Sequence, residues 1–156
     1  MAEYEIELEQ IKQLLGKTCY AILSTANKKG VVSASSMAFV AEGPNVYFQT
    51  DRSYEKYQNI LENRNVAITI NNTYFKGEAE VLGSPLDNDK FVELMKQKHL
   101  QTFENYSSLP NQVLIVVKLT EGRIWGIVDK EEQILVLDFV NNSLRKIKCE
   151  NLKGGF

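Results

Sequence analysis

The chain has 156 residues, a length that fits one domain spanning 1–156 with a core that needs no disulfide or metal staple. Hydrophobic residues make up 44% and charged residues 24%, the balance of a soluble globular protein. A formal net charge of -2 excludes a surface built to neutralise a nucleic-acid backbone, so no nucleic-acid partner is expected.

Residues 3–15 read as a helix, with Tyr4, Leu8, Ile11 and Leu15 at helical spacing and Leu14 beside them. Glu3, Glu5 and Glu7 at its start and Lys12 and Lys17 near its end suit the macrodipole, and Gly16 is a natural stop. This acidic start is unlike a signal peptide, and no apolar run approaches the ~20 residues of a membrane span. A cytoplasmic protein with no membrane partner is therefore expected. In that compartment the two cysteines, Cys19 and Cys149, are not expected to pair. A single histidine, His99, and no C-x-x-C leave no metal-ligand spacing.

The stretch "TCYAILSTANKKGVVSASSMAFVAEGPNVYFQT" reads as three strands joined by turns at "NKKG" and "EGPN". A helix follows from about residue 53, with Tyr54, Tyr57, Ile60 and Leu61 as its apolar stripe. "NVAITIN" and "TYFKGEAEVLG" form a hairpin around Asn71–Asn72. "SPLDNDKFVELMKQKH" is a third helix with Ser84 as N-cap, Pro85 in the first turn and Asp87 completing a box-like start. "NQVLIVVKLTEGRIWGIV" is one long strand, bulged at Glu121–Gly122. "QILVLDF" and "SLRKIK" close the chain with a hairpin around Asn141–Asn142. Strands that come as hairpins and meanders, without βαβ alternation, predict a mainly β (α+β) fold: an antiparallel barrel with peripheral helices. The long strand 112–128 can serve two parts of one closed sheet.

Two stretches carry candidate chemistry. On strand 31–40 the face of Val32, Ala34, Ser36, Ala38 and Val40 is small and mainly apolar, and is expected to turn inward. The face of Val31, Ser33, Ser35, Met37 and Phe39 carries no charge. It meets a ligand or a partner subunit, or else is an ordinary half-buried strand face. At "QTDRSYEK", Ser53 is the expected N-cap, and Arg52 and Lys56 add positive charge to the positive end of the dipole. Capping requires no cation. Either these are solvated charges near Asp51 and Glu55, or an anion such as phosphate sits between them.

The order "AILSTANKKGVVSASSMAFV", "VYFQTDRSYEKYQNILENRNVAITI", "FKGEAEVLG" resembles the pyridoxamine-5′-phosphate-oxidase-like family of FMN-binding split barrels. The matching positions are Thr25, Gly30, Tyr47 to Thr50, Lys56, Asn59 to Ile60, Asn65 to Val66, and Gly77 to Ala79. The resemblance implies a split β-barrel and a homodimer with FMN at the subunit interface. It places Lys56 on the flavin phosphate, with Thr50, Ser53 and Arg52 beside it. It lines the ring with Ser35, Ser36, Met37, Phe48, Gln49 and Thr50, and brings Trp125 toward the flavin. The other reading of Trp125 is a core or interface tryptophan. Relatives also use the deazaflavin F420 or haem, and His99 is the one candidate axial ligand; its plain reading is a helix-end cation complementing the dipole. The chain departs from the family at "SASSMAF", which lacks the phosphate-gripping Arg or Lys, and at "NRNV", where "N-P-x-V" is usual. Its end, "LRKIKCENLKGGF", lacks the arginine-rich substrate segment of the vitamin B6 oxidase. The implied function is an FMN-dependent oxidoreductase acting on a small-molecule substrate. The alternative is a non-catalytic flavin- or haem-binding protein on the same barrel.

Overall fold

The computed structural model of the chain describes residues 3–149; the end of the segment compared with the oxidase terminus, 150–156, lies outside the described residues. Helix α1, Glu3–Lys17, buries Ile11 and Leu15 of its expected stripe. It leads into β1, Tyr20–Ala26, whose turn to β2, Val32–Ala38, is built as its sequence predicts. Asn27 Oδ1 accepts from the Lys29 and Val31 N–H groups, both at 2.9 Å, and Gly30 takes the left-handed φ of 83°. The expected strand 31–40 is two strands. β2 pairs with β1, then the chain crosses at Phe39, and β3, Val40–Glu42, pairs instead with β4, Asn45–Asp51. Continuous apolar spacing across Phe39 hid this change of partner.

Helix α2, Glu55–Glu62, separates β4 from the hairpin of β5, Asn65–Ile70, and β6, Thr73–Gly83. A 3-10 turn at Pro85–Asp87 then precedes α3, Asp89–Lys98, and α4, Leu100–Tyr106. Ser84 caps only the 3-10 turn, by accepting from the Leu86 N–H; the cap of α3 is Asn88, whose Oδ1 accepts from the Phe91 N–H at 2.8 Å. The last strands are β7, Gln112–Val128, β8, Glu131–Asp138, and β9, Ser143–Lys148. No helix among the described residues is long and apolar enough to cross a membrane.

All strand pairs are antiparallel, in a nine-stranded sheet ordered β2-β1-β5-β6-β7-β4-β3, with β8 and β9 added beyond β7. The long β7 serves two parts of the sheet, as its length suggests. One edge pairs with β6 from Leu114 to Ile124; the other is shared, with β4 taking Gln112 to Lys118 and β8 taking Glu121 to Val128. The bulge that accompanies the hand-over falls at Thr120, one residue before the expected place. There the register shifts against Lys76 and Gly77, and Thr120 Oγ1 donates to the Lys76 carbonyl at 3.2 Å. The main core fills the barrel with Leu23, Phe39, Phe48, Ile68, Phe75, Ile115 and Leu137, while a second cluster of Tyr47, Phe91, Met95 and Leu114 seats α3 on the outside.

The expected face of β2 is reversed, and that of α2 is rotated, keeping Ile60 buried and Tyr57 half-buried. On β2, Ser33, Ser35 and Met37 are the more buried side chains, and Val32, Ala34 and Ser36 are exposed. The period of two fixes which residues share a face but not which face turns in. Here a polar partner decides it. Thr25 Oγ1 and Ser33 Oγ lie 2.8 Å apart, and Asn59 Nδ2 of α2 donates to both, at 3.1 and 3.4 Å. On α2 the inward stripe is Lys56, Asn59, Ile60 and Asn63, leaving Tyr54 and Leu61 exposed. The polar triad and Ile60 thus anchor α2 to β1 and β2 and turn Lys56 inward. Removing the amide in Asn59→Ala should cost about 2 kcal/mol in lost hydrogen bonds and cavity, lowering the melting temperature by roughly 4–8 °C; Ser33→Ala, which leaves Thr25 and Asn59 bonded to each other, should lower it by less.

Gly77 stands at the bulge, where a Cβ would lie 2.7 Å from the Lys118 carbonyl oxygen and 2.7 Å from Val117 Cγ1. The backbone of β7 cannot yield without breaking its ladder. Gly77→Ala should therefore destabilise by about 2–3 kcal/mol, as overpacking against fixed atoms does, measured by chemical or thermal unfolding.

Candidate functional site

The strand change at Phe39 leaves two sheet edges without strand partners. β2 pairs only with β1, and β4 pairs with β3 only through Asn45, Val46 and Tyr47, so positions 48–51 are open on that side. Unpaired strand edges present backbone donors and acceptors to whatever lies beside them. A cleft of about 330 Å³ opens here, between Ser36, Met37 and Ala38 on β2 and Gln49, Thr50 and Asp51 on β4. Phe91 and Met95 of α3 and Thr102 and Tyr106 of α4 form its apolar wall, and Tyr54 and Lys56 close it at the start of α2. A neighbouring recess of about 400 Å³ joins Ser33, Ala34 and Ser35 to Ser53, Tyr54, Glu55 and Lys56. Lys56 belongs to both.

The strand-to-helix turn is held differently from the sequence expectation. Ser53 is not the N-cap; that position is Tyr54, which makes no side-chain capping bond. Asp51 organises the turn instead, its Oδ1 accepting from the Ser53 N–H at 2.8 Å and the Ser53 hydroxyl at 2.7 Å. These two bonds, the backbone one foremost, hold the Asp51 carboxyl below its ordinary range. An acidic side chain four residues before the helix, which the sequence reading treated as a bystander, therefore holds the turn without capping the helix. The first turn of α2 keeps its leading N–H groups free of side-chain caps.

Lys56 is half-buried, and burial pulls its ammonium below the ordinary lysine value. Its nearest favourable contact is the Tyr54 ring, 5.2 Å from Nζ to the centroid, and among the described residues it makes no ion pair. Thr50 Oγ1 is buried and has no hydrogen-bond partner. A desolvated cation without a counter-charge, uncapped helix N–H groups and an orphan hydroxyl together form a donor set suited to an anion.

The structure brings Ser35, Ser36, Met37, Gln49, Thr50, Ser53 and Lys56 to this cleft and its recess. It places three of the predicted residues elsewhere. Phe48 is wholly buried in the main core. The Arg52 guanidinium donates through Nη1 to the Pro110 and Gln112 carbonyls, at 3.3 and 3.4 Å, tying the turn to the start of β7. Trp125 lines a separate recess of about 490 Å³ with Thr69, Tyr74, Arg123 and Ile134, its Nε1 buried without a partner. His99 is not a solvated helix-end cation. It is buried at the junction of α3 and α4 with Nε2 3.2 Å from the Phe39 carbonyl oxygen, and burial, foremost, holds it below its ordinary value. The α3–α4 wall was missed in the sequence because the second of these helices, "LQTFENY", is too short to print a helical period.

No curated protein matches the chain. Among solved structures, a candidate pyridoxamine 5′-phosphate oxidase from Listeria innocua is 17% identical, with a TM-score of 0.61, over 76% of this chain and 97% of that one. PhzG from Burkholderia lata, solved with tetrahydrophenazine-1-carboxylic acid, is 14% identical at a TM-score of 0.63, over 95% and 96%. HutZ, the heme storage protein of Vibrio cholerae, is 15% identical at 0.59, over 71% and 88%. At these identities the likeness is one of fold. The sequence profile of pyridoxamine 5′-phosphate oxidase matches residues 8–126, from α1 past Trp125 and including every strand and helix that lines the cleft. The chain belongs to the pyridoxamine 5′-phosphate oxidase family of split β-barrels.

Proposed function

We propose that this chain is a flavoprotein that holds FMN in the cleft between β2 and β4 and serves as an oxidoreductase for a small molecule. The observation that carries this reading is Lys56, a half-buried ammonium without an acidic partner beside an uncapped helix start. A phosphate there offsets both the desolvation and the charge–dipole conflict. Ser35 stands in the same recess with a hydroxyl for its oxygens, and Thr50 Oγ1 is a further donor at the cleft. The open edges of β2 and β4 and the apolar Met37, Phe91 and Met95 suit a planar ring laid between them. Bound flavin supplies hydride or electron transfer; the chain's residues bind it, orient it and exclude water. Oxidation of a vitamin B6 phosphate is not part of this reading, because "LRKIKCENLKGGF" does not resemble the arginine-rich substrate segment of that oxidase. A haem reading is weaker on this chain, since His99 is committed to the Phe39 carbonyl.

A lysine–phosphate contact contributes roughly 1.5–3 kcal/mol. Lys56→Ala should therefore weaken FMN binding about ten- to a hundredfold, while riboflavin, without the phosphate, binds both proteins nearly equally. Flavin fluorescence titration measures both. Equal losses for FMN and riboflavin would mean that Lys56 supports the fold; no binding of either by the unaltered protein would remove the flavin reading.

The same reading includes a homodimer. The uncharged strand face that carries Met37 and Phe39 is one candidate partner surface, but Phe39 is buried within the chain itself. The support comes from the opposite face of β2. Val32 is 73% exposed and Tyr20 61%, and Ser36, Ile22, Thr69, Tyr74 and Arg123 form one cross-strand row over β2, β1, β5, β6 and β7. Ser36 at one end adjoins the cleft, and Arg123 at the other adjoins the Trp125 recess. In an isologous contact the two ends are exchanged, so each cleft meets the partner's Trp125 recess. A stable dimer buries on the order of 1,600 Å² in total. Val32→Glu should convert it to a monomer in light scattering at micromolar concentration, with flavin retention falling alongside; a monomeric unaltered protein would overturn the dimer.

A further inference from the structure

Gln49 stands at the open edge of β4, between Phe48 in the core and Thr50 with its orphan hydroxyl. Its side chain lies on the α3–α4 side of the strand and lines the cleft. It does not hang free. Ser107, the C-cap of α4, is 1% exposed, and its hydroxyl donates to Gln49 Oε1 at 2.6 Å. The Ser107 N–H is itself spent on the Phe103 carbonyl at 3.1 Å, so the residue is fixed by its own helix end. A carboxamide has one acceptor oxygen and one donor NH2 group. With the oxygen engaged by Ser107, the group left facing the cleft is the donor.

We infer that Ser107 positions Gln49 as the ring-reading residue of this cleft: the fixed Nε2 group donates to a hydrogen-bond acceptor, a carbonyl oxygen or an unprotonated ring nitrogen, on the edge of the bound ring. This deepens the flavin reading and rests on it. The cleft then offers two donors, Lys56 for an anion and Gln49 for a ring acceptor, with Met37, Phe91 and Met95 as apolar lining. Asp51, the carboxylate at the same edge, has its Oδ1 engaged by the N–H and hydroxyl of Ser53. A ring that presents only donors, or only apolar carbon, at that edge leaves the Gln49 amide unpaired and is disfavoured.

Gln49→Glu tests this with little change of shape, since the Ser107 hydroxyl can still donate to the carboxylate. FMN and riboflavin titrations, the bound-flavin absorption spectrum and the midpoint potential are compared in the unaltered protein, the Gln49→Glu variant and the Ser107→Ala variant. Gln49→Glu should weaken FMN and riboflavin by the same factor, about three- to tenfold, alter the bound spectrum and lower the potential, because a new negative charge disfavours the electron-rich reduced ring. Ser107→Ala should shift the spectrum in a milder form and weaken both flavins equally. Unchanged affinity, spectrum and potential in Gln49→Glu, in a protein whose FMN binding still depends on Lys56, would overturn the inference while leaving the flavin reading intact. A Ser107→Ala variant with lowered melting temperature but an unaltered spectrum would reduce Ser107 to a helix cap and overturn its positioning role. Failure of the unaltered protein to bind either flavin would overturn both readings together.

Discussion

The shared edge of β7 is the constraint from which the rest of the molecule follows. One strand cannot give the same edge to two partners at the same residues, so β4 must end where β8 begins. The Leu119 N–H is taken by the Pro44 carbonyl at 2.8 Å, and the Thr120 carbonyl by the Phe139 N–H at 3.0 Å. The extra residue, Thr120, bends β7 at this point, and Gly77 lets β6 follow by close approach. Because β4 is held at one side of the barrel and β1 at the other, the segment between them has to change partners, and it does so at Phe39. The cleft is the consequence: two sheet edges face each other without pairing, and polar backbone is left open along them.

Helix α2 turns that opening into a site. A helix of eight residues has little stability of its own. It is held by Ile60 in the core and by the Asn59, Thr25 and Ser33 hydrogen bonds, and this docking fixes its rotation. The same rotation presents Lys56 inward, because residues three and four apart share a face. A half-buried ammonium without a carboxylate is unfavourable in isolation, and the fold carries it because Asn59 and Ile60 on the same stripe hold the helix down. Structural anchoring and charge placement are thus coupled through one helical repeat.

The wall opposite α2 depends on a second polar device. His99 joins α3 to α4 and meets the Phe39 carbonyl, the backbone group freed where β2 gives way to β3. Lys98 lies over the Phe39 ring, 4.2 Å from Nζ to the centroid, and donates to the Leu15 carbonyl at 3.0 Å. The crossing residue is therefore gripped on its ring and on its backbone by neighbouring residues of one helix end. This keeps the α3–α4 wall in register with β2, and it places Ser107 where it reaches Gln49.

The sequence by itself determined the antiparallel hairpins, the turn chemistry at Asn27–Gly30 and the double service of 112–128, because period, turn residues and strand length are local properties. The resemblance carried by motifs along 20–79 also implied that Lys56, Thr50, Gln49 and the serines of β2 lie near one another. Tertiary structure decided which face of β2 and of α2 turns inward, since alternation and helical period are blind to what lies opposite until Asn59 meets Thr25 and Ser33. It decided that the strand breaks at Phe39, which only the competition for β7 makes necessary. It withdrew Phe48, Arg52 and Trp125 from the cleft of their own chain, because core packing, the carbonyls at Pro110 and Gln112, and the far half of β7 claim them. It supplied His99 and Ser107 as fastenings, 60 and 58 residues away in sequence from the groups they hold, a separation over which no local pattern carries information.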